Sequence, residues 1–131
     1  MDDSFHIDIE RRLIVKKFSG VVRFETIEAW FVEALSHEAF SDRYSGVVDM
    51  RSATFEYETP EEAIKLAKRM MELEFTQGLW VVVATSPQAT ALTMLYKSQA
   101  DERHPIEVVS SVEAAEKILG IPLKDYLEES L

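Results

Sequence analysis

Trp80-Val81-Val82-Val83-Ala84-Thr85-Ser86-Pro87 is the stretch that decides the fold of this chain. Its first five residues are apolar without alternation, so a strand here is covered on both faces, as in the interior of a parallel sheet. Ser86-Pro87 follows at once, a capping hydroxyl and then a ring whose fixed φ suits the first helical position. Leu92, Leu95 and Tyr96 recur behind it at helical spacing. A buried strand turning directly into a capped helix is a β-α unit, and such units need further parallel strands beside them.

Those strands are legible on either side. Gly46-Val47-Val48-Asp49-Met50 is a second short apolar strand, followed by a loop expected from Arg51 to Glu58. Thr59-Pro60-Glu61-Glu62 then combines a threonine N-cap, a proline at the first helical position and a glutamate three residues after the cap. The helix it opens is predicted through Ala63, Ile64, Ala67, Met70 and Met71 to about Phe75, with Glu61 and Lys65 four apart in the stabilising order and Gly78 ending the connection. Downstream, Ile106-Glu107-Val108-Val109 reads as the last strand. Ser110 with Glu113 reads as a capping box for a helix carrying Val112, Ala115, Ile118 and Leu119, closed by Gly120. Pro122 to Leu131 is predicted as a short terminal helix. Toward the start, Phe5-His6-Ile7-Asp8-Ile9-Glu10 alternates apolar and polar, which marks a strand with one wet face at or near a sheet edge. Leu13 to Phe18 pairs back on it as an antiparallel hairpin, and Ile27, Trp30, Phe31, Ala34 and Leu35 form the first helix. The order β-β-α-β-α-β-α-β-α predicts one α/β domain over residues 1–131, an N-terminal hairpin leading into successive right-handed β-α units.

Composition agrees with a single packed domain. The 131 residues are 47% hydrophobic, enough for a core despite a net charge of −10. The acidic balance excludes a nucleic-acid partner, which requires a cationic face. The chain contains no cysteine, which removes disulfides, thiolate nucleophiles and Cys-ligated metals. Met1-Asp2-Asp3-Ser4 offers neither a basic region nor an apolar run, and the longest apolar stretch is Leu79 to Ala84, so neither signal peptide nor membrane span is expected and the predicted compartment is the cytoplasm.

Leu13-Ile14-Val15 with Phe18-Ser19-Gly20-Val21-Val22, then Tyr44-Ser45-Gly46-Val47-Val48-Asp49-Met50-Arg51, in this order of elements over nearly the whole chain, resemble the SpoIIAA-like proteins of the STAS and CRAL/TRIO fold group. The resemblance implies helices largely on one face of the sheet, a small bacterial protein and no catalytic residues. It also implies a regulatory switch, in which a serine in an Asp-Ser-x-Gly-like turn before the second helix is phosphorylated by a partner kinase. This chain departs from that pattern. Phe55 to Pro60 holds neither serine nor glycine, and Glu56, Glu58, Glu61 and Glu62 would repel a phosphate. Thr59 supplies a hydroxyl at that turn, and as an N-cap its oxygen is expected to accept a backbone N–H.

In open sheets ligands bind by default where loops leave the carboxyl ends of parallel strands. The polar residues there are Asp49, Arg51 and Ser52, then Thr85, Ser86 and Gln88, then Ser110 and Ser111. They read as a site for an anionic group at helix N-termini or, more plainly, as caps and a local ion pair. His6, His37 and His104 have no metal-ligand spacing, so no metal or other cofactor is expected; His104, with Asp101 and Glu102, reads as a histidine placed by a helix dipole. Nucleophile elbows, phosphate-binding glycine loops and His-Glu-x-x-His are absent. Met70, Met71 and Met94 with Phe75, Trp80 and Tyr96 read as core or as an apolar cavity lining. Lys65, Lys68 and Arg69, flanked by Glu61, Glu62 and Glu72, read as a solvated helix face.

Three functions follow. The leading one is a non-enzymatic interaction module acting by self-association, as a homodimer, or by contact with another protein. The alternative is a carrier or sensor of a small apolar ligand, its anionic end held near Arg51 and Ser86. The third is an enzyme using Asp49, Arg51, Ser86 and His104, which requires Asp49 and His104 to share one cleft.

Overall fold

Hydrophobic pattern and turn residues together set the elements of the computed structural model, which describes residues 5–55 and 59–127. Within them run β1 (Phe5–Asp8), β2 (Leu13–Val21), α1 (Phe24–Leu35), β3 (Ser45–Thr54), α2 (Pro60–Leu73), β4 (Trp80–Val83), α3 (Pro87–Gln99), β5 (Ile106–Val109) and α4 (Val112–Leu119). The strands form one sheet in the order β1-β2-β3-β4-β5, antiparallel between β1 and β2 and parallel thereafter. The hairpin, the parallel β-α units and the edge position of the first strand are as expected from the sequence.

Because the strand order advances in one direction, right-handed crossovers put α1, α2 and α3 on the same face. Ile14, Phe18, Val48, Met50 and Trp80 meet the apolar sides of those helices there. α4 follows the last strand and is not a crossover, so it is free to cover the other face, where Val112 and Ala115 pack with Leu13, Val15, Val47, Val81 and Val83. β4 therefore buries both of its faces, the physical reason its sequence does not alternate.

Trp80 organises the larger core. Its indole N–H donates to Thr76 Oγ1 at 2.9 Å, and its ring packs against Phe31 and Phe75. The same ring lies directly over Gly46 of β3, where a Cβ would overlap three of its carbons. Gly78 is constrained likewise by the Tyr44 carbonyl, so it serves a close backbone approach in the α2-to-β4 connection.

Several boundaries differ from expectation. β3 runs on through Thr54, so Arg51 and Ser52 are strand residues rather than the start of a loop. The pairing Lys17↔Asp49 becomes Ser19↔Ser52, a bulge with one extra residue on β3; beyond it Ala53 and Phe55, rather than even-numbered residues, enter the core. α2 ends at Leu73 with Glu74 in the left-handed region, φ 50°, and buries Ala63, Leu66, Ala67 and Met70, whereas Ile64 and Met71 are half-buried. Lys65 pairs with Glu62 at 3.8 Å, not with Glu61. The cap of α4 is Ser111, whose hydroxyl accepts from Ala114 N–H at 3.1 Å; Ser110 precedes it. After Gly120, residues 124–127 form a turn rather than a helix, anchored by buried Leu123 and Leu127; residues 128–131 lie outside the described part. Tyr126 in that turn donates its hydroxyl to Asp8 Oδ2, tying the chain end to β1 and holding the Asp8 carboxyl below its usual range.

Candidate functional site

The residues that the sequence assigned to the carboxyl ends of the parallel strands fall into separate roles, and Asp49, Arg51 and Ser52 lie within β3 itself. Asp49 is 0% exposed and pairs in register with Lys17 and Val83, on the α4 face of the sheet. Its carboxylate accepts from the Arg51 backbone N–H at 3.0 Å and from the Arg51 guanidinium at 3.0 and 2.9 Å. A buried carboxylate needs such compensation, so this pair is a clamp across the bulge. Ser52 is exposed beyond it. Ser86 caps α3, accepting from Ala89 N–H at 3.0 Å, and Gln88 is an exposed first-turn residue. Ser110 is exposed and caps nothing, the cap having passed to Ser111. Thr59 occupies the N-cap position of α2, yet its side chain accepts no cap hydrogen bond; the Thr59 carbonyl accepts from Glu62 N–H instead. Glu56 and Glu58 lie outside the described residues.

A different region carries geometry that the sequence did not announce. Between the sheet and α1 to α3 is a cavity of about 60 Å³ whose walls include Met50, Phe55, Trp80, Val82, Tyr96 and His104. Where the end of α2 meets the loop before β5, a larger cleft of about 410 Å³ is bounded by Met70, Met71, Glu74, Gln77, Arg103 and His104. His104 lines both. It is 7% exposed, its Nε2 lies 2.7 Å from the Tyr96 hydroxyl, and its Nδ1 has no hydrogen-bond partner among the described residues. Burial lowers its pKa to about 4, so the imidazole is neutral at physiological pH. Burial also raises the Tyr96 phenol, which keeps its proton.

His104 is thus a core residue and not one placed by a helix dipole. Its neighbours Asp101 and Arg103 face solvent and hold each other by paired hydrogen bonds at 2.9 to 3.2 Å. It sits with Val48 and Met50 on the helix-layer side of the sheet, while Asp49 faces the α4 side. The shared cleft that an Asp49–His104 enzyme requires is therefore not formed. The carrier reading meets the same barrier, since the apolar cavity and the Arg51 clamp lie on opposite faces. Of the methionines, Met70 is core, Met71 borders the outer cleft, and Met94 is 49% exposed. Nothing in the sequence distinguishes Tyr96 and His104 as a pair, because the eight-residue separation is bridged by the end of α3 and a turn.

Among the described residues no helix is long and apolar enough to cross a membrane, and no three His, Asp or Glu side chains gather as metal ligands would. The chain matches no family model and no curated protein. It is similar to the solved structure of the anti-sigma factor antagonist SpoIIAA in its unphosphorylated form, with 17% identity over 92% of this chain and 100% of that one, and a TM-score of 0.55. Hairpin, strand order and helix placement together establish a single sheet-and-helix unit with the SpoIIAA fold.

Proposed function

We propose that this protein is a non-enzymatic regulatory module of the cytoplasm that works by protein–protein contact, through self-association or a partner strand. The observation that carries the reading is the state of β1. Phe5 stacks edge-on against Trp30 at 5.2 Å, while His6 and Asp8 contact Tyr126 on the other side. Packed on both faces, the strand is held extended, and β2 is its one strand neighbour among the described residues. A rigid strand with an unpaired outer edge is ready to add another strand. The likeness to SpoIIAA, named as an anti-sigma factor antagonist, supports the same reading at the level of fold.

Analytical ultracentrifugation over a concentration series, combined with amide hydrogen exchange, tests this reading. Self-association through β1 should protect the amides of Phe5 to Asp8 as concentration rises. A protein that stays strictly monomeric, and whose β1 amides gain no protection from any captured partner, overturns it. Under this reading Asp49, Arg51 and Ser86 serve the scaffold as clamp and cap, while Ser52, Gln88 and Ser110 are exposed polar residues and Thr59 is an exposed hydroxyl available to a modifying partner.

A further inference from the structure

A residue in an antiparallel pair sends its N–H and its C=O to the same neighbour. Of the four residues of β1, two therefore direct these groups to β2 and the two between them direct theirs outward. A second copy of β1, running antiparallel about a two-fold axis, must match outward residues with outward residues. Partners then share parity, and the axis passes through a residue rather than between two.

Side-chain chemistry selects which residue that is. An axis at His6 sets one imidazole against another. An axis at Asp8 opposes two carboxylates, both ionised because the Tyr126 hydrogen bond holds this group below its usual range. An axis at Phe5 leaves most of β1 without a partner. An axis at Ile7 sets Ile7 against its own copy, His6 against Asp8 twice, and Phe5 against Ile9 twice. Faces agree in this register: Phe5 and Ile7 pack toward the helix layer, while His6 and Asp8 lie beside Tyr126. His6 is exposed and free to turn toward a partner. Asp8 accepts from Tyr126 on Oδ2 and from the Arg11 backbone N–H on Oδ1, and a carboxylate has room for a further donor. Ile9 is 61% exposed, the most exposed large apolar residue among those described, and Phe5 of the second copy would cover it. The chain's acidic surplus lies elsewhere, because residues 1–17 balance Asp2, Asp3, Asp8 and Glu10 with Arg11, Arg12, Lys16 and Lys17.

We propose that the partner of the β1 edge is the β1 edge of a second copy, paired antiparallel about a two-fold axis at Ile7, with His6 of each copy donating to Asp8 of the other. This pairing rests on β1 being an interaction edge, and it adds the identity of the partner and the register.

The absence of native cysteine permits a direct test in the full chain. Opposed residues have Cα atoms about 4.5–5.5 Å apart, within the disulfide range of about 4.4–6.8 Å. Residues diagonal to each other, as the two His6 would be, are about 7–8 Å apart and out of reach. With oxidised glutathione as oxidant, Ile7→Cys should form a covalent dimer on non-reducing gels at least about tenfold faster than His6→Cys. His6→Asp, at an exposed position, should weaken the dimer by about tenfold in sedimentation, since the two-fold axis repeats each like-charge pair. This second measurement decides where Ile7→Cys fails to fold. Crosslinking of His6→Cys as fast as Ile7→Cys overturns the register while leaving β1 as the interaction edge. A sedimenting dimer that neither cysteine crosslinks, or that His6→Asp leaves unchanged, overturns the pairing. A native chain that stays monomeric overturns it too; β1 amides that a captured partner then protects would preserve the broader interaction reading.

Discussion

Lowering the pH should destabilise this protein in a way traceable to one side chain. His104 is 7% exposed and its pKa is held down to about 4 by burial, against 6.5 in an unfolded chain. The Asp101 carboxylate pulls the value the other way; Arg103 and Glu102 stand on the same loop, Glu74 at the end of α2, and neutral Tyr96 on α3. Because the folded value lies below the unfolded one, the unfolded chain takes up the proton first. The stability associated with a neutral His104 is therefore complete above pH 6.5, declines as pH falls toward about 4, and is fully lost below that. At about 1.4 kcal/mol per pH unit, the interval from 6.5 to about 4 is worth about 3 kcal/mol. That is a large part of the ~5–15 kcal/mol that holds a typical domain together. Surface carboxylates titrate in the same range, so the measurement is a difference. Urea unfolding of the native chain and of His104→Phe should be followed across the same pH series. The native advantage over the variant should shrink by about 3 kcal/mol between neutral and acid conditions, with m unchanged. An advantage that stays constant across the series refutes the buried, neutral imidazole.

Further substitutions separate structural roles that the sequence left merged. Ser111→Ala and Ser86→Ala should each cost about 1 kcal/mol by thermal unfolding, whereas Ser110→Ala and Thr59→Ala should fall within about 0.5 kcal/mol of zero, because only the first two hydroxyls accept a cap N–H. Gly46→Ala should cost about 3 kcal/mol and shift the Trp80 fluorescence, since the new methyl meets the indole ring; an unchanged spectrum with native stability would remove the close contact. Arg51→Ala should destabilise by about 3 kcal/mol, more than Asp49→Asn, because it strands a fully buried carboxylate; denaturant melts showing the reverse order would refute the clamp. Glu74→Gly should raise stability by about 0.5 kcal/mol in the same melts, as it relieves the left-handed backbone at the end of α2.

What could be read from the chain alone was its local punctuation and its periodicity. Trp80 to Pro87 announced a doubly covered strand and a capped helix because both signals lie within a few residues of each other. The alternation of Phe5 to Asp8 likewise placed the first strand at or near an edge, and it is the outer strand. The same local rules misplaced Arg51, because a strand continues wherever a neighbour supplies hydrogen bonds, and β2 supplies them as far as Thr54. They also assigned the last cap to Ser110 rather than Ser111, a shift of one residue between two equal hydroxyls that backbone direction alone resolves.

The functional geometry was the part decided by tertiary structure. Sequence determined which residues are apolar, where helices start and how many β-α units exist, since those depend on neighbours along the chain. It could not place Asp49 and His104 on opposite faces of one sheet, nor bring the Tyr96 hydroxyl to 2.7 Å from a buried imidazole. Which face a side chain takes depends on register, and whether a histidine is desolvated depends on helices packed over it from elsewhere in the chain. The strongest chemical feature of this protein, a buried imidazole lining two cavities with one nitrogen that has no hydrogen-bond partner among the described residues, comes from that packing and from no motif.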